Sequence, residues 1–62
     1  RRSLYVAEDL QPGDVITRAN VRAIRPGLGL PPKYLDQLLG RRVAKPARKG
    51  TPVTLDLFGD RG

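Results

Sequence analysis

Very few residue types in this chain can do chemistry. It has no cysteine and no histidine. That removes thiolate metal ligands, disulfides and the commonest general base. The carboxylates are scattered. Asp9 and Asp14 flank a Pro-Gly turn, while Asp56 and Asp60 lie near the C-terminal end with nothing to pair them as acid and base. None reads as catalytic, and no metal ligand set is present. One feature stands apart: Arg25, followed by Pro26, Gly27, Leu28, Gly29, Leu30 and Pro31. A guanidinium offers five donors in a fixed plane and keeps its charge at any working pH. On a loop restrained by proline it is either a fork aimed outward at a ligand or a donor to its own domain's carbonyls. Gly27 and Gly29 lack the Lys-Ser/Thr pair and the long following helix of a phosphate-cradling loop, and read as turn glycines.

The loop lies between two half-copies of one pattern. Gly13-Asp14-Val15-Ile16-Thr17-Arg18-Ala19-Asn20-Val21 is matched by Gly50-Thr51-Pro52-Val53-Thr54-Leu55-Asp56-Leu57-Phe58. Gly, Val/Ile, Thr and a closing apolar residue recur in step. A short hairpin-like unit cannot bury its own apolar side, but two related units can cover each other across a pseudo-two-fold axis. This predicts a mostly β clip with short strands and little helix.

Residues 3–7 read as a strand, with Leu4 and Val6 facing one way and Tyr5 the other. Residues 8–14 form a turn. Thr17 and Thr54 are placed to cap single helical turns over 18–20 and 55–57. Residues 21–24 form a strand leading to Arg25, and 41–44 another. The one plausible helix runs from Pro32 to Leu39. Pro fits its first turn and Gly40 its end. Tyr34, Leu35, Leu38 and Leu39 share an apolar face, while Lys33, Asp36 and Gln37 face water.

A chain of 62 residues forms one small domain, which leaves no room for a walled catalytic cleft and fits a module of something larger. Arg1 and Arg2 read as the remnant of a linker, and 59–62 as a tail. No apolar run approaches a membrane span, and no signal-peptide pattern follows Arg1-Arg2-Ser3. The net charge of +6 is uneven, with +5 of it on residues 33–49. Such a segment meets phosphate, nucleic acid or an acidic neighbouring domain, or is simply a solvated face. Nucleic acid is disfavoured because only Tyr5, Tyr34 and Phe58 are aromatic, and the last two read as core.

The chain resembles the C-terminal antifreeze-like (SAF) domain of the sialic acid synthase family. The resemblance runs from Ser3 to Phe58. It rests on Asp9-Leu10 with Pro12-Gly13, on Ile16-Thr17 with Asn20-Val21, and on Arg25-Pro26-Gly27 with Gly29. It continues in Leu39-Gly40-Arg41 and Lys49-Gly50-Thr51-Pro52. Ser3-Leu4-Tyr5-Val6 and Pro32-Lys33-Tyr34 look most like the pseudaminic acid synthase branch.

The resemblance implies a pretzel-like β-clip with internal pseudo-symmetry. In that family a (β/α)8 barrel precedes this domain and condenses phosphoenolpyruvate with an N-acetylated amino sugar, using a divalent metal (Mn or Mg) held by the barrel. The enzyme is cytoplasmic and a domain-swapped homodimer, in which each SAF domain covers the partner's barrel mouth. The position matching Arg25 contacts the sugar's acylamino group, and Pro26, Gly27 and Gly29 support its loop. The chain by itself would then hold no cofactor and be inert, with neither nucleic acid nor membrane as partner. Two other readings remain. One is a non-enzymatic SAF module of pilus or flagellar assembly, for which the half-copies suffice. The other is an ice-binding protein of the type III antifreeze kind, against which Asp14 and Arg18 place charges in the segment that would face ice.

Overall fold

The computed structural model describes residues 1–59, so Asp60 and most of the expected tail (60–62) lie outside the described residues. Two short strands pair antiparallel, β1 (Ser3–Val6) and β2 (Val21–Ile24), with Ser3 opposite Ile24 and Val6 opposite Val21. The other edge of β1 is paired as well. The Val6 N–H donates to the Thr51 carbonyl at 2.8 Å and the Val53 N–H to the Leu4 carbonyl at 2.9 Å. β1 is therefore the middle of the molecule, and all four of its residues are buried. The expected alternation does not expose Tyr5, because the 25–30 loop lies over it and accepts its hydroxyl proton.

The half-copies do form a pseudo-two-fold frame, visible bond by bond between positions n and n + 37 (13 with 50, 16 with 53). Gly50 N–H donates to the Val6 carbonyl, and Gly13 N–H to that of Val43. Val53 donates to Leu4 as Ile16 does to Arg41, and Ala7 donates to Asn20 as Ala44 does to Leu57. Leu10 and Ala47 exchange both their backbone bonds, at 2.7 and 2.9 Å, and so sit on the axis. Gly13 and Gly50 take the same left-handed φ, +94° and +92°, which an L side chain disfavours. The core follows the same rule. Val6 and Val43, Leu10 and Ala47, Ile16 and Val53, and Val21 and Phe58 are all buried in one cluster. Apart from Ala47, each of these side chains contributes about 1.5–3 kcal/mol by leaving water.

Local structure departs from expectation in four places. Residues 17–20 form a hydrogen-bonded turn rather than a helical one. The Thr17 hydroxyl does accept the Ala19 N–H at 3.2 Å. Asn20 completes the turn by accepting from the Thr17 N–H and donating to the Val15 carbonyl. Thr54 precedes a 3-10 turn (Leu55–Phe58) but makes no side-chain cap; its carbonyl accepts from Leu57 instead. The 32–39 helix is a 3-10 turn (Pro32–Tyr34) running into a single α-turn, α1 (Leu35–Leu38). It stops early because Gly40 N–H is taken by the Ile16 carbonyl, which draws the chain back into the frame. Residues 41–44 form only a bridge, Arg42 to Val15, since Ala44 already turns to bond Leu57. The expected helix face holds in part: Leu38 is buried, Leu35 and Leu39 pack half-buried against the core, and Lys33, Asp36 and Gln37 are exposed, while Tyr34, read as core, is half-buried and outside the core cluster.

Candidate functional site

β1 and β2 end side by side at Ser3 and Ile24, so the chain emerges from β2 at Arg25 over the end of the ladder. The Arg25–Pro26 peptide bond is cis. The loop that follows is fastened from beneath. The Ser3 hydroxyl, in a residue only 1% exposed, donates to the Pro26 carbonyl at 3.1 Å and accepts the Gly29 N–H at 2.9 Å. It thereby uses both its donor and an acceptor lone pair. The Tyr5 hydroxyl donates to the same Pro26 carbonyl at 2.6 Å. On the far side Leu30 donates to Val53 at 2.8 Å and accepts from Leu4 at 2.9 Å.

Neither Gly27 nor Gly29 has a positive φ, so these glycines are not needed for unusual backbone angles. Gly29 is needed for space. A Cβ there would lie 2.7 Å from the Leu4 carbonyl oxygen and 2.8 Å from that of Val53. At Gly27 it would meet only the side chain of Arg1.

Arg25 itself is exposed and makes no hydrogen bond or ion pair among the described residues. Of the two sequence readings of this residue, the donor to its own domain's carbonyls is thus not realised. With Arg2, Ala23 and Ile24 it lines a shallow depression open to solvent. Leu28, 70% exposed, stands at the tip of the loop. The arrangement is a charged fork and an apolar tip on a backbone held at five points. Such an arrangement is suited to binding and orienting a ligand.

Ser3 and Tyr5 were missed as loop supports. Their sequence signal, two hydroxyls in an otherwise apolar strand, is visible only once the β1–β2 register is known. Among the described residues no group of three or more His, Cys, Asp or Glu could hold a metal ion. No helix among them is long and apolar enough to cross a membrane. Asp14 and Arg18 are both exposed, so the 9–21 segment carries charge into solvent.

The basic 33–49 segment is less free than its charge implies. Lys45 pairs with Asp56 at 2.8 Å, and Arg42 donates to the Gly13 carbonyl. Lys33 lies over Tyr34, and Arg41 over Phe58 with its guanidinium carbon 4.7 Å from the ring centre.

Known proteins resemble this chain in sequence and in fold. The pseudaminic acid synthase of Helicobacter pylori is 42% identical over 55 residues, which are 89% of this chain and 16% of that protein. A pseudaminic acid synthase of Campylobacter jejuni (serotype O:2) is 39% identical over 49 residues, 79% of this chain and 14% of that protein. The chain thus spans less than a fifth of the curated relatives it matches. In structure it is similar to the spore coat polysaccharide biosynthesis protein spsE of Bacillus subtilis. The TM-score is 0.86 at 23% identity, over 98% of this chain and 18% of that one, which is a likeness of fold. The family model described as SAF domain matches residues 1–58, nearly the whole pseudo-symmetric frame together with its inserted loop, and the chain belongs to that family.

Proposed function

We propose that this SAF domain is the substrate-capping module of a nonulosonate synthase of the pseudaminic acid type. In this reading a (β/α)8 barrel elsewhere in the parent enzyme condenses phosphoenolpyruvate with an N-acetylated amino sugar. The module covers the barrel mouth of the partner protomer in a homodimer, and Arg25 donates to the sugar's acylamino oxygen. The observation that carries the reading is Arg25 itself: exposed, without a partner among the described residues, on a loop pinned by Ser3, Tyr5 and Leu30. A donor held this way loses little freedom on meeting its ligand, so its hydrogen bond serves orientation rather than repaying disorder. Covering the mouth would keep water from the enol chemistry. The divalent metal, Mn or Mg, belongs to the barrel and polarises the sugar aldehyde there; this chain supplies none of its ligands. The names of the relatives support the sugar class.

The test uses the full-length enzyme. Arg25→Ala removes a hydrogen bond from a charged donor, about 1.5–3 kcal/mol. That corresponds to a fall of about 10- to 150-fold in kcat/KM for the sugar, with thermal unfolding unchanged because the exposed side chain makes no hydrogen bond or ion pair among the described residues. Unchanged sugar kinetics would remove Arg25 from the site and the capping reading with it.

A further inference from the structure

Arg22, Arg48 and Lys49 are exposed and make no side-chain hydrogen bond or ion pair among the described residues, but the uncommitted positive charge gathers most closely at the end of the β1–β2 ladder. Arg1, Arg2 and Arg25 are all exposed, and none makes a hydrogen bond or ion pair among the described residues. Ser3 pairs with Ile24, so the next residues outward, Arg2 and Arg25, are cross-strand neighbours, and they line one depression. The stem of Arg1 packs on Gly27: a Cβ at Gly27 would lie 3.2 Å from the Arg1 Cγ. Three arginines therefore lie on or next to a loop that leaves Leu28 70% exposed, and Ile24, 47% exposed, lines the depression with Arg2 and Arg25. Among the described residues no acidic side chain bonds to any of the three. Like charges set side by side across a ladder repel one another unless a counter-charge arrives.

We infer that Arg1 and Arg2, beside Arg25 and the exposed Leu28, form a docking surface for a carboxylate-rich protein face. An exposed apolar anchor rimmed by arginines is the composition of a protein interface rather than of a small-anion site. The occupant is the acidic rim of the opening that the module is proposed to cover, so the inference rests on the proposed function. More than four-fifths of each curated relative lies outside the matched region, which leaves ample protein to supply that rim. Arg1 and Arg2 are then working parts of the cap, not the end of a linker.

Amide exchange reads docking directly. The Gly27 and Leu28 N–H groups donate to no acceptor among the described residues, whereas Gly29 and Leu30 do. In the full-length protein the Gly27 and Leu28 amides should be protected by the covering face. The double variant Arg1→Glu/Arg2→Glu should lower that protection by at least about tenfold, since charge reversal faces carboxylate with carboxylate. High salt should do the same to the wild type. Arg48→Glu/Lys49→Glu, equal in charge but outside the depression that Arg2 and Arg25 line, should leave it unchanged. Thermal unfolding of each variant separates a folding defect from undocking. Equal exchange in wild type and the Arg1/Arg2 variant overturns the inference, as does an equal effect of the Arg48/Lys49 pair. A raised KM for the anionic substrate alone, with protection intact, also overturns it, in favour of a substrate-anion site. Arg25→Ala tests the capping reading separately. If it lowers sugar kcat/KM while the Arg1/Arg2 variant does nothing, the docking surface fails and the cap stands.

Discussion

Gly29→Ala should damage this molecule far more than Gly27→Ala, two positions away on the same exposed loop. The added methyl carbon at Gly29 would lie 2.7 Å from the Leu4 oxygen, 2.8 Å from the Val53 oxygen and 2.9 Å from the Val53 nitrogen. All three are backbone atoms and none can swing aside. The Leu4 carbonyl is bonded to the Val53 N–H, and the Val53 carbonyl to the Leu30 N–H. Relief therefore means shifting the loop or prising 53 from β1. Overpacking of this kind costs about 1–3 kcal/mol, and each strained or lost backbone bond adds about 1 kcal/mol. Together these come to about 2–4 kcal/mol. A domain of this length has only about 3–9 kcal/mol in total. At about 4–8 °C per kcal/mol, Gly29→Ala should lower Tm by at least about 10 °C in thermal unfolding followed by circular dichroism. At Gly27 the methyl meets only the Arg1 side chain, at 3.2–3.4 Å, which is exposed and free to move. That variant should stay within about 0.5 kcal/mol of wild type. A Gly29→Ala Tm within about 2 °C of wild type, or a Gly27→Ala loss of the same size, would refute the close-approach argument and the anchored loop built on it.

Two further perturbations examine the anchor and the frame. Ser3→Ala removes the hydroxyl that joins the Pro26 carbonyl to the Gly29 N–H and leaves that N–H without its acceptor, a cost of about 1–3 kcal/mol. In the full-length enzyme it should also lower kcat/KM for the sugar, and that kinetic loss should vanish in an Arg25→Ala background; an undiminished loss there would mean Ser3 does not act by positioning Arg25. Gly13→Ala and Gly50→Ala should each cost about 1–2 kcal/mol in chemical denaturation, and by similar amounts, because both hold a φ near +93° in open space. A neutral result at either position would show that the two turns are not equivalent.

What the sequence disclosed and what it hid divide along the repeat. The half-copies were legible because a pseudo-two-fold frame repeats its requirements: the same positive-φ glycine at 13 and 50, and matched apolar residues at 16 and 53 and at 21 and 58. Where the halves differ, single-position reasoning failed. Thr17 and Thr54 look interchangeable as caps. Asn20, whose amide closes the first turn, has Leu57 as its counterpart, so the second half has no side chain to close its turn, and Leu57 goes into the core instead. Charge counted along the sequence has a related limit. Counting residues along 33–49 cannot see that Asp56, Tyr34, Phe58 and the Gly13 carbonyl fold back onto them. Equally, it cannot see that pairing β1 with β2 gathers Arg2 and Arg25 from positions 23 residues apart.

The inserted loop is where frame and function separate. Residues 25–30 lie outside the two half-copies, and yet the frame fastens them through five hydrogen bonds at Pro26, Gly29 and Leu30. A loop of that length left to itself would sample many conformations, and ordering it on a ligand would consume about 1–2 kcal/mol per residue. Here β1 carries that ordering in advance. Ser3 and Tyr5 are held in place because their strand is paired on both edges, and it is paired on both edges because the second half-copy lies beside it. The duplication thus supplies stability, and it also supplies the buried platform from which one arginine can be presented without a partner of its own.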